Sequence, residues 1–251
     1  FLRRVGVDAK MPCILTDNAA VSKLCYQHLK ERGFRHFAFC GFNGADYSDG
    51  SRDEFSRRVT SAGLHCHVYS HAHPIKNNTA KYELLGVNDG LQVAEWIRLL
   101  PKPVGLMACN DMRGQQVLDA CRAVGVSVPE EVAVIGVDND EVVCNLSAPP
   151  LSSVVPNAGR VGYEAAQLLS EMMAGKQVRQ TEIFIEPNRI VSRRSTEILA
   201  IDDRRIAVAA HFIREHACEG IGIHDVLRAV PMSRSWFNQR FRKILGRSPR
   251  E

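Results

Sequence analysis

Apolar residues along this chain follow two rhythms. Short runs with little alternation, His36–Gly41 (HFAFCG), Val104–Ala108 (VGLMA) and Val132–Val137 (VAVIGV), are separated by longer stretches in which apolar positions return every three or four residues. Such short runs, bounded by Gly, Pro or polar clusters, suit strands buried on both faces, and the longer period marks amphipathic helices. In order, the pattern predicts a strand at Pro12–Asp17 and a helix from Asn18 to Arg32 stopped by Gly33. The strand His36–Gly41, a helix Arg52–Ala62 ending at Gly63 and a strand Leu64–Tyr69 follow. A helix Gly90–Leu100 closed by Pro101, the strand Val104–Ala108, a helix Asp111–Val124 and the strand Val132–Val137 complete the series. Strands alternating with helices in this way predict an α/β fold built on a parallel, doubly wound sheet, with ligands received beyond the carboxyl ends of the strands.

The pattern changes after residue 190. Ser192–Ile201 reads as a connector, and Asp202–His216 as a helix with Ile206, Ala210 and Ile213 on its core stripe. Ile221–Val230 and the segment opened by Ser233 then form two short amphipathic patterns separated by Pro231-Met232-Ser233, with Ser233 placed to cap the second. In that second pattern Phe237, Phe241 and Ile244 or Leu245 gather on one stripe, while Ser235, Asn238, Gln239 and Arg242 gather on another. This is the outline of a small all-α helix-turn-helix unit.

Charge sharpens the division. Residues 202–251 hold ten basic and six acidic residues, whereas the first 201 hold 22 of each, so the whole net charge of +4 belongs to the last fifth of the chain. From Arg228 to Arg250 there are seven Lys and Arg and no acid. An acid-free basic stretch beside a polar helical stripe suits duplex DNA: Arg234, Arg242 and Lys243 can neutralise phosphates, and Ser235, Asn238 and Gln239 can reach base edges. At 45% hydrophobic and 24% charged the composition is that of a globular protein, and no apolar run is long enough to span a bilayer. The N-terminal FLRRVGVDAKM lacks the apolar core of a signal peptide. Eight cysteines without C-x-x-C spacing read as reduced, mostly buried thiols, and the expected location is the cytoplasm.

Candidate chemistry collects at the strand ends. Asn110 and Asp111 follow one strand, Asp138, Asn139 and Asp140 follow another, and Arg52 opens the helix after a third. Each alone is an ordinary helix cap or turn former. Together they offer amide, carboxylate and guanidinium groups that suit the vicinal hydroxyls of an uncharged polyol. His65, Cys66, His67, His71 and His73 are zinc-type ligands in a short span, but strand alternation sends Cys66 away from its neighbours, and no metal or other cofactor is expected. With no G-x-S-x-G, P-loop or paired-glycine nucleotide fingerprint, catalysis is not expected.

Two family resemblances rest on these residues. TDN at Asp17, HLKERGFRHFAFCGF, ACNDMRGQQVLDACRAVGVSVPEEVAVIGVDND, APPLSSV and GYEAAQLL resemble the effector-binding domain of LacI/GalR-type regulators, whose fold is that of periplasmic sugar-binding proteins. That resemblance implies effector contacts at Arg52, Asn110 and Asp138, with Asp111 and Asp17 as further candidates, and with Pro156 standing where the family often has a polar residue, so that this contact is either lost or passed to Asn157. DVLRAVPMSRSWFNQRFRKILGRSP resembles the first helix-turn-helix of AraC/XylS-type regulators, with Leu227 in place of the usual Ala and Pro231 in place of the usual Gly. A sugar domain followed by an AraC-type head is the order found in the xylose operon activators of bacteria. It implies a cytoplasmic, sugar-responsive activator that binds double-stranded DNA and a pentose such as xylose, as a homodimer and with RNA polymerase as a further partner. The alternative is a sugar-binding module or receptor without direct DNA function. The implied division is 1–195 for a sugar domain with one lobe partial, 196–202 for a linker and 203–251 for the DNA-binding unit, an internal piece of a longer regulator.

Overall fold

A computed structural model describes residues 12–70, 89–176, 182–197, 203–245 and 248–249. Strand β1 (Cys13–Thr16) leads into α1 (Asn18–Glu31), and Gly33 at φ 88° ends that helix as expected. Strand β2 (His36–Cys40) is followed by α2 (Asp46–Ser61), β3 (Cys66–Val68), α3 (Gly90–Leu99) and β4 (Val104–Ala108). Then come α4 (Asp111–Ala123), β5 (Val132–Val137), α5 (Glu141–Leu146), β6 (Ser152–Val155) and α6 (Ala158–Met173). The α/β part closes with β7 (Glu182–Ile185) and β8 (Arg189–Val191), and α7 (Arg204–His216), α8 (Ile223–Ala229) and α9 (Arg234–Leu245) follow.

The main sheet has six strands in the order β3-β2-β4-β5-β6-β8, all parallel except β8 at the edge. Every residue of β4 and β5 is buried, because helices cover both faces of a parallel sheet. Phe37, Phe39, Phe55 and Ile135 pack on one side, and Ile97, Leu106, Leu118 and Val134 on the other. A separate pair, β1 parallel to β7, stands apart from this sheet, with α6 against β1. None of the residues of α6 is fully buried, and Tyr163, Leu169 and Met173 are exposed.

Two expectations need correction. The helix predicted to open at Arg52 begins six residues earlier, at Asp46. The segment DYSDG looks like a turn, but Asp46 and Asp49 lie in the first turn, where carboxylates favour the positive end of the helix dipole. The Ser48 hydroxyl also takes the Phe42 N–H at 2.8 Å. The connector expected at Ser192–Ile201 is, over its first half, part of the α/β core: Arg194–Thr196 form a 3₁₀ turn in which Ser195 and Thr196 are completely buried. Ser195 donates its hydroxyl to the Val134 carbonyl at 2.6 Å and accepts the Ser152 N–H at 2.8 Å, filling the β5 ladder where β6 has not yet begun. Residues 198–202 lie outside the described set.

The three C-terminal helices share a core of their own. Ile206, Ala210, Val226, Phe237 and Phe241 are buried together, with Ile213 and Ile244 packed against them. The periodicity had placed Ile206, Ala210, Ile213, Phe237 and Phe241 on inward stripes, with Ile244 or Leu245 completing the second. Ser233 accepts the Trp236 N–H at 3.3 Å, and Asp203 accepts the Arg205 N–H at 3.2 Å at the start of α7. The Arg205 guanidinium lies 4.0 Å over the Trp236 ring, tying α7 to α9.

Candidate functional site

Strands β4 and β5 pair with Leu106 opposite Val134 and Met107 opposite Ile135. Three residues further along each strand come Asn110 and Asp138, so the register leads them to neighbouring positions beyond the carboxyl edge. Asn110 is the N-cap of α4, its side-chain oxygen accepting the Arg113 N–H at 2.9 Å. Asp138 is half-buried at φ 107° and Asn139 follows at φ 51°, two non-glycine residues in the left-handed half of backbone space. Such a conformation costs about 1–3 kcal/mol per residue and persists where the surroundings hold it. Here Asp138 donates its N–H to the Val154 carbonyl, and Asn139 donates its own to the Ser153 hydroxyl, both at 3.0 Å.

Asp111 lies behind these residues. It is 2% exposed, and both oxygens are engaged inside the fold: Oδ1 accepts the Ser153 hydroxyl at 2.5 Å and Oδ2 the Asp140 N–H at 2.7 Å. Burial pushes its carboxyl up to about 6 despite those donors. Gly136 makes this approach possible, since a Cβ there would fall 2.3 Å from Asp111 Oδ1. Asp111 therefore ties α4 to the loop after β5 and to β6.

The other two expected residues stand elsewhere. Arg52 lies in the second turn of α2, away from the helix start, and its guanidinium holds Asp49 at 2.7 Å and Asp53 at 2.9 Å. Asp17 caps α1, accepting the Ala19 and Ala20 N–H groups at 2.8 and 3.1 Å, and it follows β1 of the two-stranded sheet. Asn157 likewise caps α6 through the Arg160 N–H.

One feature of the crevice was not legible in the sequence. Arg113 is fully buried and forms a fork-to-fork pair with Asp89, Nη1 to Oδ1 at 2.9 Å and Nη2 to Oδ2 at 2.8 Å. Its guanidinium lies 4.8 Å over Phe42 and 5.3 Å over Tyr69, two rings just beyond the ends of β2 and β3. The only local hint is that Arg113 stands three residues after the capping Asn110.

The C-terminal polar stripe is open to solvent. Arg234, Ser235, Asn238, Gln239, Arg242 and Lys243 are all exposed, while Phe237 and Phe241 on the opposite side of α9 are buried. Arg234, Asn238, Gln239, Arg242 and Lys243 border a groove of about 1180 Å³ whose floor includes Ile213, Ile223 and Val226.

The histidine cluster behaves as alternation requires. His65 and His67 stack edge to face at 4.6 Å, and Cys66 turns inward. His71 and His73 lie outside the described residues, and among the described residues no three His, Cys, Asp or Glu are grouped to hold a metal. Six cysteines are buried free thiols, but Cys13 is half-buried and Cys218 exposed. No helix among the described residues is long and apolar enough to cross a membrane.

Residues 26–196 match the family model described as a periplasmic binding protein-like domain. The chain belongs to this family. Within the periplasmic-binding-protein-like family it is 34% identical over 236 residues to the Xylose operon regulatory protein of Escherichia coli K12, covering 93% of this chain and 58% of the relative. The protein of the same name from Haemophilus influenzae is 32% identical over 240 residues, covering 94% and 60%. A solved structure of the xylose-binding transcription activator xylR superposes with a TM-score of 0.79 at 33% identity, covering 94% of this chain and 61% of that one. The chain thus spans about three fifths of the length of these relatives.

Proposed function

We propose that this chain is the greater part of a sugar-responsive transcription regulator, with a pentose, D-xylose first, as effector and duplex DNA as target. Residues up to Glu197 form the effector-binding unit, 198–202 the linker, and 203–251 an AraC-type helix-turn-helix with α8 and α9 as its two helices. The observation that carries this reading is the breadth of the likeness: one alignment of 236 residues, 93% of the chain, joins it to a Xylose operon regulatory protein.

Physical chemistry supports both halves. Asn110 and Asp138 bring an amide and a carboxylate to adjacent strand ends, able to fork onto vicinal hydroxyls, and Asp17, just after β1 of the second sheet, is a further candidate. Arg52, paired on its own helix, contributes by releasing Asp49 or Asp53. Asp111 acts from behind, fixing the Asp138 loop. At the other end Asn238, Gln239 and Ser235 read base edges while Arg234, Arg242 and Lys243 neutralise phosphates. The sugar must contact two arrangements of the protein differently for binding to alter DNA affinity. A cytoplasmic homodimer that engages RNA polymerase belongs to the same proposal.

Thermal melting of the full-length protein against a panel of pentoses and hexoses tests it. At a hundred times its Kd the effector adds about 2.7 kcal/mol, which raises the melting point by roughly 5–10 °C. Asp138→Ala is expected to weaken D-xylose binding at least tenfold by calorimetry. No shift with any sugar would remove the sensing role, and unchanged affinity would remove Asp138 from the site.

A further inference from the structure

Arg193 is the residue through which the loop bearing Asp138 meets the segment leaving the α/β core. Its Nη1 donates to Asn139 Oδ1 at 3.0 Å and to the Leu151 carbonyl at 2.9 Å, and its Nε donates to Asn145 Oδ1 at 3.1 Å. Its backbone N–H donates to the Ser152 hydroxyl at 2.7 Å. Immediately after it, Ser195 is locked to β5 and β6, and the Thr196 hydroxyl bonds Ser152 Oγ at 2.7 Å and His28 Nε2 at 2.8 Å. Arg32 Nε closes the knot on the Thr196 carbonyl at 2.8 Å. Asn139, the partner of Arg193, holds a positive φ next to Asp138, so the side-chain bond helps maintain a backbone that would relax without it.

We propose that Arg193 is a positioning residue that couples the Asp138–Asn139 loop to the exit segment Ser192–Glu197, and through it to the C-terminal helices. A ligand drawing on Asp138 changes the balance between the held and relaxed forms of this loop. The guanidinium passes that choice to the segment that ends at Glu197, ahead of Asp203, which caps α7. Coupling of this kind requires a two-state element that both sites bias, and the loop held at positive φ supplies one. The regulatory consequence rests on the function proposed above, but the mechanical link does not.

Two measurements on the full-length protein separate these. Hydrogen exchange without ligand tests the link: Asn139→Gly, which keeps the backbone conformation but removes the amide, is expected to speed exchange of the Ser195 and Thr196 amides about tenfold, with β2 amides unchanged. Equal rates at Ser195 and Thr196 would overturn the proposal. The second is the ratio of operator affinities with and without D-xylose. Arg193→Lys keeps the charge but not the planar fork. It is expected to bring a wild-type ratio of roughly 5–150 down close to 1 while sugar-free operator affinity stays within about twofold. A full wild-type ratio in Arg193→Lys would also overturn it. A wild-type protein whose operator affinity ignores every sugar would overturn the regulator reading instead, and the exchange rates would still decide the link.

Discussion

Asp111 and His28 show what burial does to single residues. Asp111 titrates at about 6 in the folded protein against an ordinary value of 3.8, because burial penalises its charged form. Between those values the folded state binds more proton than the unfolded chain. Its contribution is therefore complete below pH 4 and lost as the pH rises through 6, by roughly 3 kcal/mol at about 1.4 kcal/mol per unit. Urea unfolding of wild type and Asp111→Asn at pH 4 and pH 7 should show the wild type losing ground to the variant at the higher pH. Parallel behaviour would mean that the carboxylate is solvated. His28 works in the opposite sense: burial, then the Arg32 charge, lowers it to about 4, so it stays neutral against Thr196. Its contribution is present above 6.5 and lost as the pH falls through 4, and His28→Gln should flatten that acid-side loss in the same titration.

Within α9 the two faces of one element make opposite predictions. Phe237 is fully buried among Ile206, Val226 and Phe241, so Phe237→Ala should cost about 3–5 kcal/mol and unfold the C-terminal helices. Asn238, one residue on, is exposed, and Asn238→Ala should leave stability within about 0.5 kcal/mol. Its effect should fall on discrimination between operator variants, by about 1–3 kcal/mol at one base pair, in a gel-shift competition. Untouched operator preference would move base reading to Ser235 or Gln239. Both faces were legible in the sequence, since a 3.6-residue period and a capping Ser are local properties. The start of α2 was not: Gly50 and the Asp and Ser residues around it imitate a turn. Only the packed structure shows Ser48 tied back to Phe42, and Gly50 so close to Asn18 that a Cβ would approach its amide to 2.7 Å.

On the scale of the molecule, the charge excess of the C-terminal fifth implies a steep salt dependence. If Arg234, Arg242, Lys243 and their neighbours neutralise about four phosphates per head, log affinity for any duplex should fall against log salt with a slope of about −3.6. A slope near zero in titrations from low to physiological salt would contradict the electrostatic half of the proposal. Asp138→Ala should leave the slope as it is, because Asp138 lies in the neutral part of the chain.

The sequence by itself determined the alternation of buried strands and helices, the caps at Asn110 and Ser233, and the inward and outward stripes of α9. Each depends on neighbours within a turn or two of chain. What only the tertiary structure decided are pairings across sequence. Asp89 meets Arg113, Ser153 draws Asp111 inward, and Arg193 reaches Asn139, over separations of 24, 42 and 54 residues. Which residues become such neighbours follows from strand order, and strand order follows from how two helical layers cover one sheet, which no local period encodes. For that reason Asp111, an open ligand group by its position after a strand, proved to be an internal tie, and Arg193, part of an apparent connector, proved to be joined to the Asp138 loop.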